Sequence, residues 1–166
     1  TALAASCGDR VRLIADEVSA LDPVDLSIRV YGKPVALRSA SVRLLAPHVA
    51  RLCEVAGMYE EDERFVPPSE LGSAARSVDG STIQAMPIRS IVFPQFDVSF
   101  ESPCDPLLVA LTPGEVLERL MQSVLGSGPI SSTTFNELAR LAASARGHLL
   151  RYGRLDQALC ALDALI

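Results

Sequence analysis

Two adjacent carboxylates, Asp16 and Glu17, close the apolar run Val11-Arg12-Leu13-Ile14-Ala15, which reads as a short strand. Carboxylates at the end of an apolar strand are costly to desolvate unless something cationic meets them. Phosphoryl transfer uses such a place: one carboxylate holds Mg²⁺ and a neighbour orients or deprotonates the attacking hydroxyl. The same pair also suits a solvated strand-to-loop junction. A metal-dependent hydrolase is a third reading, weakened because no His or Cys cluster stands near Asp16. Arg38 and Arg89 end or begin expected strands and could contact phosphate, or serve as surface and ion-pair charges. His48 and His148 stand alone, with no Ser or Cys on a matching elbow. Arg146 and Arg151 read as helix-end and surface charges. The run Glu60-Glu61-Asp62-Glu63 reads as a solvated loop, because four consecutive carboxylates cannot converge on one cation.

The chain that must position these groups has 166 residues, 49% of them hydrophobic and 21% charged. That is one domain's length, and folding buries roughly 70% of the surface of such a chain. A disordered chain is excluded by this composition. Aromatic residues make up 5% and there is no Trp, which argues against a stacking platform for single-stranded nucleic acid. Net charge is −5, and the 15 basic residues are scattered, Lys33 being the only lysine. No basic stripe for duplex nucleic acid is visible. No apolar run reaches the roughly 18 residues of a membrane-spanning helix, and no signal pattern opens the chain. Cys7, Cys53, Cys104 and Cys160 form no C-x-x-C pair, so a zinc site is not expected. Buried, reduced thiols in a cytoplasmic protein are expected instead.

Thr1 to Ser6 is a helix-forming run without a cap before it, and Gly8 can stop that helix. The sequence thus reads as starting inside an element. Strands are expected at Val18 to Leu21, Leu26 to Val30 and Val35 to Leu37, with turns at Asp22-Pro23 and Gly32-Lys33-Pro34. Val42, Leu45, Val49, Leu52 and Val55 give a helical period, with Pro47 shortening or kinking it. Residues 57–81 are the least regular. Further strands are expected at Thr82–Met86, at Ile88–Phe93 ending at Pro94, at Val98–Phe100, and at Leu107–Leu111.

The clearest boundary is Thr112-Pro113-Gly114-Glu115, a capping box with proline at the first helical position. Leu111 and Val116 are placed as its hydrophobic staple, and the helix runs on to Leu125 with Gly126 after it. A second helix is expected over Thr133–Arg146, with Phe135, Leu138, Leu141, Ala142 and Ala145 inward and Gly147 as its stop. His148 to Tyr152 reads as a strand and Leu155 to Ile166 as a last helix. The fold class is therefore α/β, a mixed sheet flanked by helices in a single domain.

In order and spacing, these segments resemble the HPr kinase/phosphorylase family and its bacterial relatives. The resemblance rests on Thr1 to Gly8 followed by Leu13-Ile14-Ala15-Asp16-Glu17-Val18, and on Lys33-Pro34-Val35-Ala36-Leu37-Arg38. It continues through Pro87-Ile88-Arg89-Ser90-Ile91-Val92-Phe93-Pro94, Leu111 to Leu125, and Leu150-Arg151-Tyr152-Gly153-Arg154-Leu155-Asp156. It implies a phosphoenolpyruvate-carboxykinase-like P-loop fold and ATP-dependent phosphoryl transfer to a hydroxyl of a peptide, protein or small molecule. Asp16 would hold Mg²⁺, Glu17 would orient or deprotonate the acceptor, and Thr1 would lie at the end of the phosphate loop. Related kinases tend to assemble, which makes a homo-oligomer an expectation. The family's G-x-x-x-x-G-K-[ST] loop does not occur in these residues, and Lys33 in its Gly-Lys-Pro turn cannot replace it. A loop upstream of Thr1 is the expectation. The alternative is a non-catalytic interaction module that retains the kinase-like fold. Glu17 stands where the family has a second Asp, which keeps the carboxylate but extends its reach.

Overall fold

The computed structural model describes residues 19–29, 35–45, 58–60, 63–66, 86–100, 107–124 and 128–165. The chain divides into two compact units, Thr1–Leu21 with Ile28–Met86, and Asp22–Ser27 with Pro87–Ile166. It is a mixed α/β protein whose second unit holds a mixed sheet with helices.

β1 (Ala20–Leu21) and β2 (Ser27–Arg29) pair antiparallel, and β6 (Met86–Pro87) follows β2 in the sheet order. A second sheet has the order β3-β5-β4, from β3 (Val35–Arg38), β4 (Met58–Glu60) and β5 (Glu63–Val66). Val35 and Val66 are opposite in register and both almost fully buried, with Leu37 and Leu45 buried beside them. β3 runs directly into α1 (Ser39–Leu45), so this helix starts three residues before the expected Val42. Its expected continuation past Pro47 lies outside the described residues.

The stretch expected to be least regular contains the β4–β5 hairpin. Glu60 stands opposite Glu63, so the acidic run spans the connection between two strands. Met58, Tyr59, Phe65 and Val66 are the β-forming residues that carry the hairpin. The run of acidic residues between them hid that signal in the sequence.

The second unit is built on β7 (Ser90–Phe96), β8 (Leu108–Leu111) and β9 (Arg146–Tyr152), in the order β7-β9-β8. β7 is parallel to β9, and β8 is antiparallel to it. β7 does not stop at Pro94 but continues to Phe96, with Pro94 opposite Leu150. It is an edge strand of the described sheet, where a missing N–H is tolerated. Val98-Ser99-Phe100 is a turn rather than a strand. The Asp97 carboxylate accepts from the Ser99 amide at 2.9 Å and its hydroxyl at 2.6 Å, and the Phe100 amide donates back to the Asp97 carbonyl. Those local bonds replace a ladder. They also hold the Asp97 carboxyl below its ordinary range, the Ser99 hydroxyl contributing most.

α2 (Pro113–Ser123) begins at the expected Thr112 cap. The Glu115 carboxylate accepts from the Thr112 amide and hydroxyl, both at 2.7 Å, and the Glu115 amide reaches the Thr112 hydroxyl at 3.4 Å. α3 (Ser132–Ser144) is capped by Ser131, whose hydroxyl accepts from the Thr134 amide at 3.1 Å. Leu138, Leu141 and Ala142 are buried as their period requires, but Phe135, expected inward, is 43% exposed. α3 ends at Ser144, so Arg146 and Gly147 belong to β9 and Gly147 is no helix stop. α4 (Leu155–Asp163) closes the chain with Ala158 buried. Cys160 on α4 is free as expected, but exposed rather than buried.

Ahead of β2, the turn Asp22–Ser27 belongs to this second unit. The Arg140 guanidinium donates to the carbonyls of Pro23 and Val24 at 3.2 and 3.1 Å. Leu26 takes a φ of 59°, unusual for a residue with a Cβ. Its buried side chain and a hydrogen bond from its backbone amide to the Asp22 carbonyl at 2.9 Å hold it there.

Candidate functional site

Thr1, Asp16 and Glu17 lie outside the described residues, as do Lys33 and His48. Arg38 and Arg89 are described, and they belong to different units. Arg38 ends β3 in register with Glu63 and its side chain is exposed. Arg89 is exposed just before β7, and its carbonyl accepts from the Arg146 amide at 2.9 Å.

That backbone bond ties together the starting ends of the two parallel strands. Ser90 and Arg146 are the first residues of β7 and β9 and stand opposite one another. His148 follows two residues along β9, between Val92 of β7 and Ala110 of β8. Strand alternation puts Ser90, Arg146 and His148 on one face. The intervening Gly147 points to the other face, where a Cβ would come within 2.0 Å of Val116 Cγ2. The Gly147 face is thus closed by α2, and only a residue without a side chain fits there.

The His148 face is different in kind. Ser90 and Arg146 are exposed, and His148 is half-buried with its Nδ1 buried and lacking a hydrogen-bond partner. A buried polar atom left unsatisfied costs about 1–3 kcal/mol. None of β7, β8 and β9 contains an acidic residue. The side chains of Arg89 and Arg146 form no hydrogen bond or ion pair among the described residues. The starting edge of this face therefore holds one guanidinium group, an imidazole and a hydroxyl, without a counter-charge from these strands. Such a set donates hydrogen bonds to oxyanions.

The far end of the same strands is closed. The rings of Phe96 and Tyr152 meet at a centroid distance of 5.6 Å, and the Arg151 guanidinium lies 5.0 Å from the Phe100 ring centre. Gly153 lets the 97–100 turn approach, since a Cβ there would come within 2.5 Å of the Phe100 carbonyl oxygen. Beyond it, Arg154 and Asp156 form an exposed bidentate pair at 3.0 and 2.9 Å. The Arg154 guanidinium accordingly lowers the Asp156 carboxyl from its ordinary value.

Of this edge, the sequence singled out Arg89 for phosphate contact, set Arg146 and His148 aside as a helix-end charge and a lone histidine, and missed Ser90. The helical period of α3 carried Arg146 along as a helix-end charge. The available signal was Arg146-Gly147-His148 ahead of the apolar Leu149-Leu150, which allows the strand to start earlier. Among the described residues no group of three or more His, Cys, Asp or Glu side chains could hold a metal ion, and no helix is long and apolar enough to cross a membrane. Comparison of the chain with protein-family models, curated proteins and solved structures gave no match.

Proposed function

We propose that the chain is part of an ATP-dependent phosphotransferase that acts on a hydroxyl of a peptide, protein or small molecule. The observation that carries this reading is the Asp16–Glu17 pair at the end of an apolar run, within an ordered series of HPr-kinase-like segments. Asp16 would supply an anionic oxygen to Mg²⁺, a hard cation that prefers carboxylate ligands. Glu17 would orient the acceptor or take its proton. ATP would supply the phosphoryl group, with Arg38, Arg89 and the segment at Thr1 as candidates for contacting its phosphates. The mixed sheet with helices is compatible with a P-loop carboxykinase-like fold. A cytoplasmic location and self-assembly belong to the same reading.

Isothermal titration of the complete protein, with any segment that precedes Thr1, against Mg-ATP tests it. Saturable binding that Asp16→Asn abolishes while circular dichroism stays unchanged supports the assignment. No binding at nucleotide concentrations on the order of 1 mM overturns it. A non-catalytic interaction module is the second reading, favoured by Phe96 and Val98, which are 61% and 77% exposed at the end of β7. Large apolar side chains so exposed are suited to protein contact. A folded chain that binds no Mg-ATP would favour it.

A further inference from the structure

We propose that Ser90, Arg146 and His148 form a binding site for a phosphate-type oxyanion, separate from the chemistry assigned to Asp16 and Glu17. The register fixes their spacing. Neighbouring strands lie about 4.8 Å apart, which separates Ser90 from Arg146, and residues two apart along a strand lie about 6.6 Å apart, which separates Arg146 from His148. One tetrahedral oxyanion fits within the reach of all three side chains. The guanidinium offers a planar fork of N–H groups, the hydroxyl one donor, and the imidazole a donor at either nitrogen.

Three observations select an anion over other ligands. The strands beneath the site carry no carboxylate. The Arg146 side chain has no hydrogen bond or ion pair among the described residues. The His148 Nδ1 is buried without a partner, although Val92 and Ala110 on either side give it nothing polar to serve. A histidine kept there for packing alone would be replaceable by an apolar residue with no loss.

The location also sets the site apart. It lies at the starting ends of two parallel strands, whereas substrate crevices of open α/β sheets lie outside the carboxyl ends. Ser90, Arg146 and His148 have no part in the phosphotransferase reading, so the proposal does not depend on it. The ligand chemistry is shared by free inorganic phosphate and by a phosphomonoester group on a larger molecule.

The test is NMR of the imidazole nitrogens in the full chain, titrated with inorganic phosphate at constant ionic strength set by sodium chloride. A saturable shift of the His148 resonances at or below about 20 mM phosphate is expected. Arg146→Gln is exposed and should leave the fold intact, and it should weaken binding about tenfold or more by removing a charge-assisted fork. Ser90→Ala should weaken it less, and Arg154→Gln at the far end not at all. Phosphoserine distinguishes the sources: tighter binding than inorganic phosphate identifies a monoester site, and equal or weaker binding identifies a free-ion site. Absence of a saturable His148 shift, or an unchanged shift in Arg146→Gln, overturns the proposal. Neither outcome bears on Mg-ATP binding.

Discussion

Gly147 and His148 are neighbours on β9, and the faces they occupy are built on opposite terms. On the Gly147 face, α2 comes so close that Val116 is 1% exposed and no Cβ can be admitted. On the His148 face, an exposed arginine and serine flank an imidazole whose Nδ1 has no partner. One face is closed at this point by a helix, while the other keeps polar groups at its starting end and packs only further along the strand, at Leu150.

The largest way to break the comparison is to put a side chain on the packed face. Gly147→Ala forces Val116 or β9 to move and should lower stability by about 3 kcal/mol in urea denaturation. A midpoint unchanged from wild type would show that the α2 face is not tightly closed. Thr112→Ala loosens the helix that closes this face and should cost about 1 kcal/mol.

The same cap carries a pH signature. Hydrogen bonds from the Thr112 hydroxyl, and then its amide, hold the Glu115 carboxyl below its ordinary value of 4.5. A carboxyl lowered on folding contributes stability above its unfolded value and loses it as pH falls through the folded one. Glu115→Gln should therefore be less stable than wild type at neutral pH, and the gap should close on acidification below the ordinary carboxylate range. A gap that persists unchanged in acid would mean that the charge plays no part in the cap.

On the other face the expected sign reverses. His148→Leu removes an unsatisfied polar atom and should be neutral or stabilising by up to about 1 kcal/mol in phosphate-free buffer. A clear loss of stability would assign His148 to the core instead. The smallest effect belongs to Arg154→Gln. The Arg154–Asp156 pair is 73% and 66% exposed, so the change should leave the thermal midpoint essentially where it is.

What could be read in the sequence was local. The α2 cap was legible because its bonds join residues within one turn: Thr112 and Glu115 find each other whatever the rest of the chain does. The α3 core positions Leu138, Leu141 and Ala142 were legible from helical period, and the turn at Asp22 from its residue types. Even locally, signals failed where two competed. The Asp97–Ser99 side-chain bonds overrode the apparent strand at Val98, and a run of acidic residues concealed the pairing of β4 with β5.

The chain by itself determined that Thr112 caps a helix and that Leu138, Leu141 and Ala142 face inward, and it offered Asp16, Glu17, Arg38 and Arg89 as candidates for chemistry. Tertiary structure decided the rest of the described edge. Ser90 and His148 are 58 positions apart, and only the parallel register of β7 with β9 sets Ser90 beside Arg146 and leaves His148 next on the same face. Gly147 is likewise uninformative in sequence, where a glycine after a helix reads as a stop. Its place under Val116 follows from α2 lying against β9. Register and close approach are properties of pairs distant in the chain, so no local propensity encodes them.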